Sequence, residues 1–200
     1  NGRFVNKMDF KDSDSSKTTM DRIYSEWTPT DQTYVRIGRQ GVALDQTGTF
    51  WDEDGEYDGI TAGWDNGKIG IDAGYGYLKS AYENKAGDAY ASKNGTESWF
   101  AKLTGHVAEG ADVSAFYLGA PKKFDKWAYT GDKHADVWGV GTTIGLGHSN
   151  FTLDGDYIKT QLSGTYDDHK ADDPALWTAG LTYGAVDTDK VGSWQLGVHY

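Results

Sequence analysis

The chain has 200 residues, 38% of them hydrophobic, with 8 Trp, 13 Tyr, 27 Gly and only 3 Pro, and its 30 acidic residues outnumber 19 basic ones for a net charge of -11. That balance excludes nucleic acid as a partner, because phosphate backbones are bound by basic surfaces, and points instead to cations or neutral solutes. The absence of cysteine excludes disulfide scaffolds and thiolate metal sites.

No stretch reaches the ~18 consecutive apolar residues of a transmembrane helix. A transmembrane β-strand needs only about 9–11 residues with every second one apolar, a signal that hydropathy averaging hides. Period-two alternation predicts about eleven strands, near 2–10, 19–27, 32–40, 58–65, 68–78, 98–107, 111–119, 135–146, 150–158, 175–184 and 191–200. In the second, Arg22, Tyr24 and Glu26 share a face. In the third, Thr33-Tyr-Val-Arg-Ile-Gly-Arg-Gln40, Tyr34, Arg36, Gly38 and Gln40 share one face, and Val35, Ile37 and Arg39 the other. Arg39 therefore points away from Arg36 unless a bulge redirects it.

The segment 41–57 is acidic, with Asp45, Asp52, Glu53, Asp54 and Glu56, and Asp58 opens the next strand. Asp52, Asp54 and Asp58 have carboxylates suited to Ca²⁺ without the full EF-hand spacing; no metal or other cofactor is expected. Further on, Ile69, Ile71, Ala73, Tyr75 and Tyr77 oppose Gly70, Asp72, Gly74 and Gly76, and Trp99, Ala101, Leu103 and Val107 oppose Lys102, Thr104 and His106. Phe151, Leu153 and Tyr157 oppose Thr152, Asp154 and Asp156, and the last two strands repeat the split with Trp177, Leu181, Trp194 and Leu196 on the apolar side. Short connections such as Asn66-Gly67 and Ala108-Glu-Gly110 suit hairpins. They alternate with longer polar loops at 11–18, 41–57, 79–97, 120–134 and 159–174, as in an up-and-down meander with one trimmed and one elaborated rim. Nothing marks a domain linker, so residues 1–200 read as a single domain.

An apolar face meets either a protein core or lipid. The polar positions here are often Gly, Thr, Asp and Gln rather than the Lys and Glu of a soluble exterior. Trp27, Trp64, Tyr77, Trp99, Tyr117, Trp177, Tyr183, Trp194 and Tyr200 sit at the ends of the apolar stripes, where outer-membrane barrels carry aromatic girdles. The expected fold is therefore all-β, an antiparallel up-and-down transmembrane β-barrel. Eleven strands with an outward-running last one suggest a piece of a larger barrel, incomplete at both ends.

The stretch Thr33-Tyr34-Val35-Arg36-Ile37-Gly38, followed by Arg39-Gln40, the acidic 41–57 loop and Asp58-Gly59-Ile60, resembles the general porins of bacterial outer membranes, closest to porin barrels tethered by S-layer-homology domains. The motif covers about residues 19–65; the remainder is similar in architecture alone. The resemblance implies a sixteen-stranded, trimeric barrel for passive diffusion of small hydrophilic solutes and ions, in contact with membrane lipid and lipopolysaccharide. It also implies that the loop after the fifth strand folds into the pore, with two strands before this segment and three after it. On that basis Arg22, Tyr24, Glu26, Tyr34, Arg36, Arg39, Asp72, Lys102 and His106 are expected on the pore wall, facing a constriction loop with Asp45, Asp52, Glu53, Asp54, Glu56 and Asp58.

No catalysis is expected: Gly147-His-Ser-Asn150 fills a hairpin turn with no activating carboxylate beside it. Two other readings fit the pattern, a structural or adhesive barrel that anchors the envelope, and a soluble glycan-binding β-sandwich.

Overall fold

The computed structural model describes residues 2–13, 17–51, 56–79, 96–120, 129–130, 135–147, 149–162, 165–166, 169–170, 173–185 and 192–200. In chain order the strands are β1 (Arg3–Ser13), β2 (Lys17–Thr30), β3 (Thr33–Gly41), β4 (Glu56–Asp65), β5 (Ile69–Lys79), β6 (Thr96–Ala108), β7 (Ala111–Ala120), β8 (Tyr129–Thr130), β9 (Ala135–Gly145), β10 (Phe151–Leu162), β11 (Thr165–Tyr166), β12 (His169–Lys170), β13 (Ala175–Ala185) and β14 (Trp194–His199). Eleven of them form one antiparallel sheet in the order β1-β2-β3-β4-β5-β6-β7-β9-β10-β13-β14, so each long strand lies beside the next long strand in sequence. The two-residue strands form a separate three-stranded sheet, β12-β11-β8.

All eleven predicted strands are present. The differences lie at their ends, where β1 and β2 pair as far as Ser13 and Lys17. The predicted long connection 11–18 therefore shrinks to residues 14–16. The large sheet is open: among the described residues β1 and β14 are its two edges.

The hairpin turns follow from local chemistry. At Asn66-Gly67 the Asn66 side chain accepts the N–H groups of Lys68 and Ile69, both at 2.9 Å, the Asp65 carboxylate accepts that of Gly67 at 2.6 Å, and Gly67 adopts a φ of 79°, which favours glycine. Register then runs unbroken across β4, β5 and β6, with Thr61 opposite Gly74 and Gly74 opposite Phe100.

One face of the sheet is apolar and open. Ile37, Ile60, Ile71, Leu103, Val140, Leu153 and Leu181 are all exposed, an arrangement opposite to that of a soluble sheet, which turns such side chains inward. Large aromatics border this band and stack in pairs along neighbouring strands. Toward the long connections, ring centroids lie 5.1 Å apart for Trp99 and Tyr117, 5.7 Å for Trp138 and Tyr157 and 4.9 Å for Trp177 and Tyr200. Toward the short turns, Tyr183 lies between Phe151 and Trp194, at 4.7 and 5.5 Å.

The opposite face is concave. From β3 to β10 the sheet takes six interstrand steps, an arc of about 29 Å at ~4.8 Å each. Yet the Gln46 and Thr47 N–H groups, a few residues beyond the end of β3, reach the Asp156 carboxylate on β10. Five residues of extended chain span at most about 18 Å, so the sheet curls toward the loop. The buried core lies on this side: Leu44 of the loop with Tyr57, Phe100, Phe116, Leu118, Val137 and Ile158 of the wall. The concave face is thus not uniformly polar, as the alternation suggested, but has an apolar patch in the sector where the loop packs.

Candidate functional site

The segment after β3 leaves the sheet edgewise and crosses the concave face. Its underside is apolar: Leu44 is fully buried, Val42, Phe50 and Trp51 pack against the same cluster, and the Phe50 ring stacks on that of Phe116 at 5.9 Å. Burial of a full side chain of this kind contributes about 1.5–3 kcal/mol, which offsets part of the entropy lost in ordering the loop. Polar contacts fix its position. The Lys102 ammonium donates to the Ala43 carbonyl at 3.1 Å. The Asp156 carboxylate, itself buried, accepts the Gln46 N–H at 3.0 Å and the Thr47 N–H at 2.7 Å. The Thr143 hydroxyl donates to the Gln46 side chain at 3.1 Å, and the Thr47 and Thr178 hydroxyls meet at 3.1 Å. Gly141 makes the latch possible, since a Cβ there would lie 1.9 Å from an Asp156 carboxylate oxygen.

Beside the loop, toward β1, the concave face encloses a polar cavity of about 410 Å³, lined from four strands by the basic side chains of Lys7, Arg22, Arg36 and Lys102, with Tyr24, Tyr34, Gln40, Thr61 and Asp72. Arg36 lies over the rings of Tyr34 and Tyr24, at 4.5 and 5.4 Å, and its Nε donates to Glu26 at 2.5 Å. Cation–π contact and ion pairing together fix a side chain that would otherwise sample many rotamers. The Lys7 ammonium also lies over the Tyr24 ring, 5.8 Å from its centroid. The Tyr34 hydroxyl donates to Asp72 at 2.6 Å. Gly63 leaves room for that bond, since a Cβ there would fall within 2.4 Å of both the Tyr34 ring and the Asp72 carboxylate. Gln40 completes the wall, accepting from the Thr61 hydroxyl at 2.6 Å.

Of the residues singled out in the sequence, Arg22, Tyr24, Tyr34, Arg36, Asp72 and Lys102 line this one cavity, with Glu26 behind Arg36. His106 is elsewhere on the wall, near the short turns, its ring between Asp112 at 2.7 Å and Asp65 at 3.0 Å. Arg39 is not a wall residue of the cavity. The β3–β4 register is continuous through Gly38 and pairs Arg39 with Asp58, so its side chain points to the apolar face. There its guanidinium bonds Asp58 at 2.8 Å and approaches Glu56 at 3.4 Å. The same register removes Glu56 and Asp58 from the loop: both belong to β4 and to that outer ion cluster. Asp45 does lie on the loop but faces inward, its carboxylate accepting the N–H groups of Phe50 and Trp51 at 3.0 and 2.8 Å. Asp52, Glu53 and Asp54 lie outside the described residues, and with them most of the weak Ca²⁺ candidate; among the described residues no group of three or more His, Asp or Glu side chains is arranged to hold a metal.

Several participants went unrecognised in the sequence, among them Lys7, Asp156 and Thr178. Lys7 was recoverable from parity, since the β1–β2 register sets it opposite Tyr24. Asp156 and Thr178 were not, because only the loop's path gives them a role. No protein-family model matches the chain, and no curated protein matches it.

Proposed function

We propose that this chain forms the wall and constriction of a porin-type β-barrel in a bacterial outer membrane, a water-filled channel for passive diffusion of small hydrophilic solutes and ions. The observation that carries this reading is the inversion of the sheet. Its apolar face is exposed and bordered by aromatics, while Lys7, Arg22, Arg36, Asp72 and Lys102 converge on the concave side beside an infolded loop. Lipid outside and water inside satisfy both faces at once.

Lipid does not tolerate unpaired strand edges, so this reading implies further strands joining β1 to β14. Assembly as a trimer and contact with lipopolysaccharide rest on the resemblance of about residues 19–65 to general porins. The loop narrows the passage and the basic wall beside it gives passing solutes an oriented field. No step requires a nucleophile.

Reconstitution of the detergent-purified protein into planar bilayers tests the reading. Discrete ohmic conductance steps are expected. A protein that inserts without conducting would instead be a structural or adhesive barrel, and one soluble without detergent would overturn the membrane reading altogether.

A further inference from the structure

We infer that Asp65, His106 and Asp112 form a proton-operated strap on the concave face beside the short turns: the imidazolium ties β4 to β6 and β7, and loss of one proton from the ring releases Asp65. The inference rests on the porin reading for its effect on permeation, and on the geometry of the cluster alone for the bond switch.

The strap crosses a strand. His106 on β6 stands opposite Asp112 on β7 in register, and its Nδ1 meets that carboxylate at 2.7 Å. Its Nε2 meets the Asp65 carboxylate at 3.0 Å, although β5 runs between β4 and β6. Gly70 opens the way: it pairs with Asp65 on one side and Thr104 on the other, and a Cβ there would lie 2.9 Å from an Asp65 carboxylate oxygen. The backbone aligns the same segments, since the His106 N–H donates to the Lys68 carbonyl of the β4–β5 turn at 2.9 Å.

A carboxylate accepts hydrogen bonds, and a neutral imidazole has a single N–H. Both contacts are therefore satisfied only while both ring nitrogens hold a hydrogen. Once the ring is neutral, one nitrogen turns a lone pair toward a carboxylate oxygen and that contact becomes repulsive. Asp65 is the partner released. Its bond to the ring is the longer one, and its other oxygen keeps the Gly67 N–H at 2.6 Å, whereas among the described residues the Asp112 carboxylate bonds the ring alone. The ring is 29% exposed, so it exchanges protons with solvent. The other charged groups of the adjoining elements are Asp31, Lys68 and Glu109 on the turns, and Asp72 and Lys102 farther along β5 and β6; Asp72 accepts the Tyr34 hydroxyl and Lys102 donates to the Ala43 carbonyl. Loss of the proton makes the cluster more negative by one charge at the mouth of the passage, which favours cations relative to the protonated state.

The test uses the detergent-folded chain, labelled with ¹⁵N-histidine, and its His106→Asn and Asp65→Asn variants, from about pH 5 to about pH 9, a span that brackets the ordinary titration of imidazole. The ring resonances missing from His106→Asn belong to His106. In the wild type both its nitrogens should be protonated at the acid end, and Nε2 alone should be bare at the alkaline end. Protection of the His106 backbone N–H against hydrogen exchange, corrected for the intrinsic rate, should fall roughly tenfold across the span. In Asp65→Asn it should hold, because the amide can donate to the bare Nε2. A ring with one N–H throughout or two throughout, or one that bares Nδ1 instead, overturns the inference. In planar bilayers the potassium-to-chloride permeability ratio of the wild type should rise roughly two-fold from the acid to the alkaline end, and His106→Asn should lose that rise; an equal rise in the variant overturns the role in permeation. If the protein conducts nothing, the porin reading fails, and the ring spectra still decide the strap.

Discussion

In the porin reading β3 has lipid on one side and water on the other, and an arginine is tolerated there where its charge is matched, as Arg36 and Arg39 are on opposite faces of the strand. Arg36 is held by Glu26 and two tyrosine rings beside the cavity, whereas Arg39 is held by Asp58 and Glu56 on the apolar side. Removing each should therefore alter a different property. Arg36→Ala should shift the reversal potential toward potassium, because it deletes a cavity cation and leaves Glu26 unopposed. Arg39→Ala should leave selectivity as it was but lower unfolding stability in vesicles by about 1 kcal/mol, a value kept small because the pair is partly exposed. Equal effects of the two variants on selectivity would contradict the assignment of faces. Parity put these two arginines on opposite faces, since side-chain direction in a regular strand follows from residue number, whereas the resemblance to porins had put both on the pore wall. Parity could not locate the charges of the loop: nothing about Asp45 in the sequence distinguishes a carboxylate facing solute from one that accepts backbone N–H groups five and six residues along.

At the scale of elements, the loop and its seat behave as one device. The seat is an apolar patch on a face where the alternation predicted polar or empty positions, and the glycines of that face are part of it. The space beside Gly74 is filled by the Phe100 ring, 2.3 Å from where a Cβ would stand, and that beside Gly139 in the same way by Phe116. A glycine on one strand with a phenylalanine opposite it in register is thus a legible sign of a packed wall, once pairing is known. What no local pattern gives is the distant partner, since Asp156 is 110 residues from Gln46 and meets it only because the sheet curves. Two changes separate the apolar from the polar hold. Leu44→Ala removes a fully buried side chain and should cost about 2–5 kcal/mol. Asp156→Ala leaves two loop N–H groups without an acceptor, about 1–3 kcal/mol each if they stay dry. Both should leave the far-ultraviolet β signature unchanged while adding flicker and larger open-channel current, because a loop that lifts off widens the passage. Single-channel traces indistinguishable from wild type would mean that the loop does not define the constriction.

For the whole molecule, the decisive question is which solvent each face meets, and strand alternation answers it only together with composition. A soluble sandwich would show the same period of two, but it would pack Leu103, Ile71 and Leu153 against a second layer, whereas these residues are exposed and the buried cluster lies on the other face. Adjacent residues on one strand therefore offer a controlled comparison. Leu103 is exposed on the apolar face of β6 and Thr104 is on the concave face. In the lipid reading Leu103→Arg places a charge within the hydrocarbon and should destabilise the protein in vesicles by about 2–4 kcal/mol, with reduced insertion. Thr104→Arg, one residue along, should fold and insert normally, because its side chain meets water. If the sheet instead turned its apolar face to water in an aqueous protein, Leu103→Arg would raise solubility and cost little. Urea titrations of both variants refolded into vesicles discriminate these outcomes, and the asymmetry between neighbours, rather than either value alone, carries the test. A soluble sheet has no reason to treat the two positions so differently, while a sheet between lipid and water must.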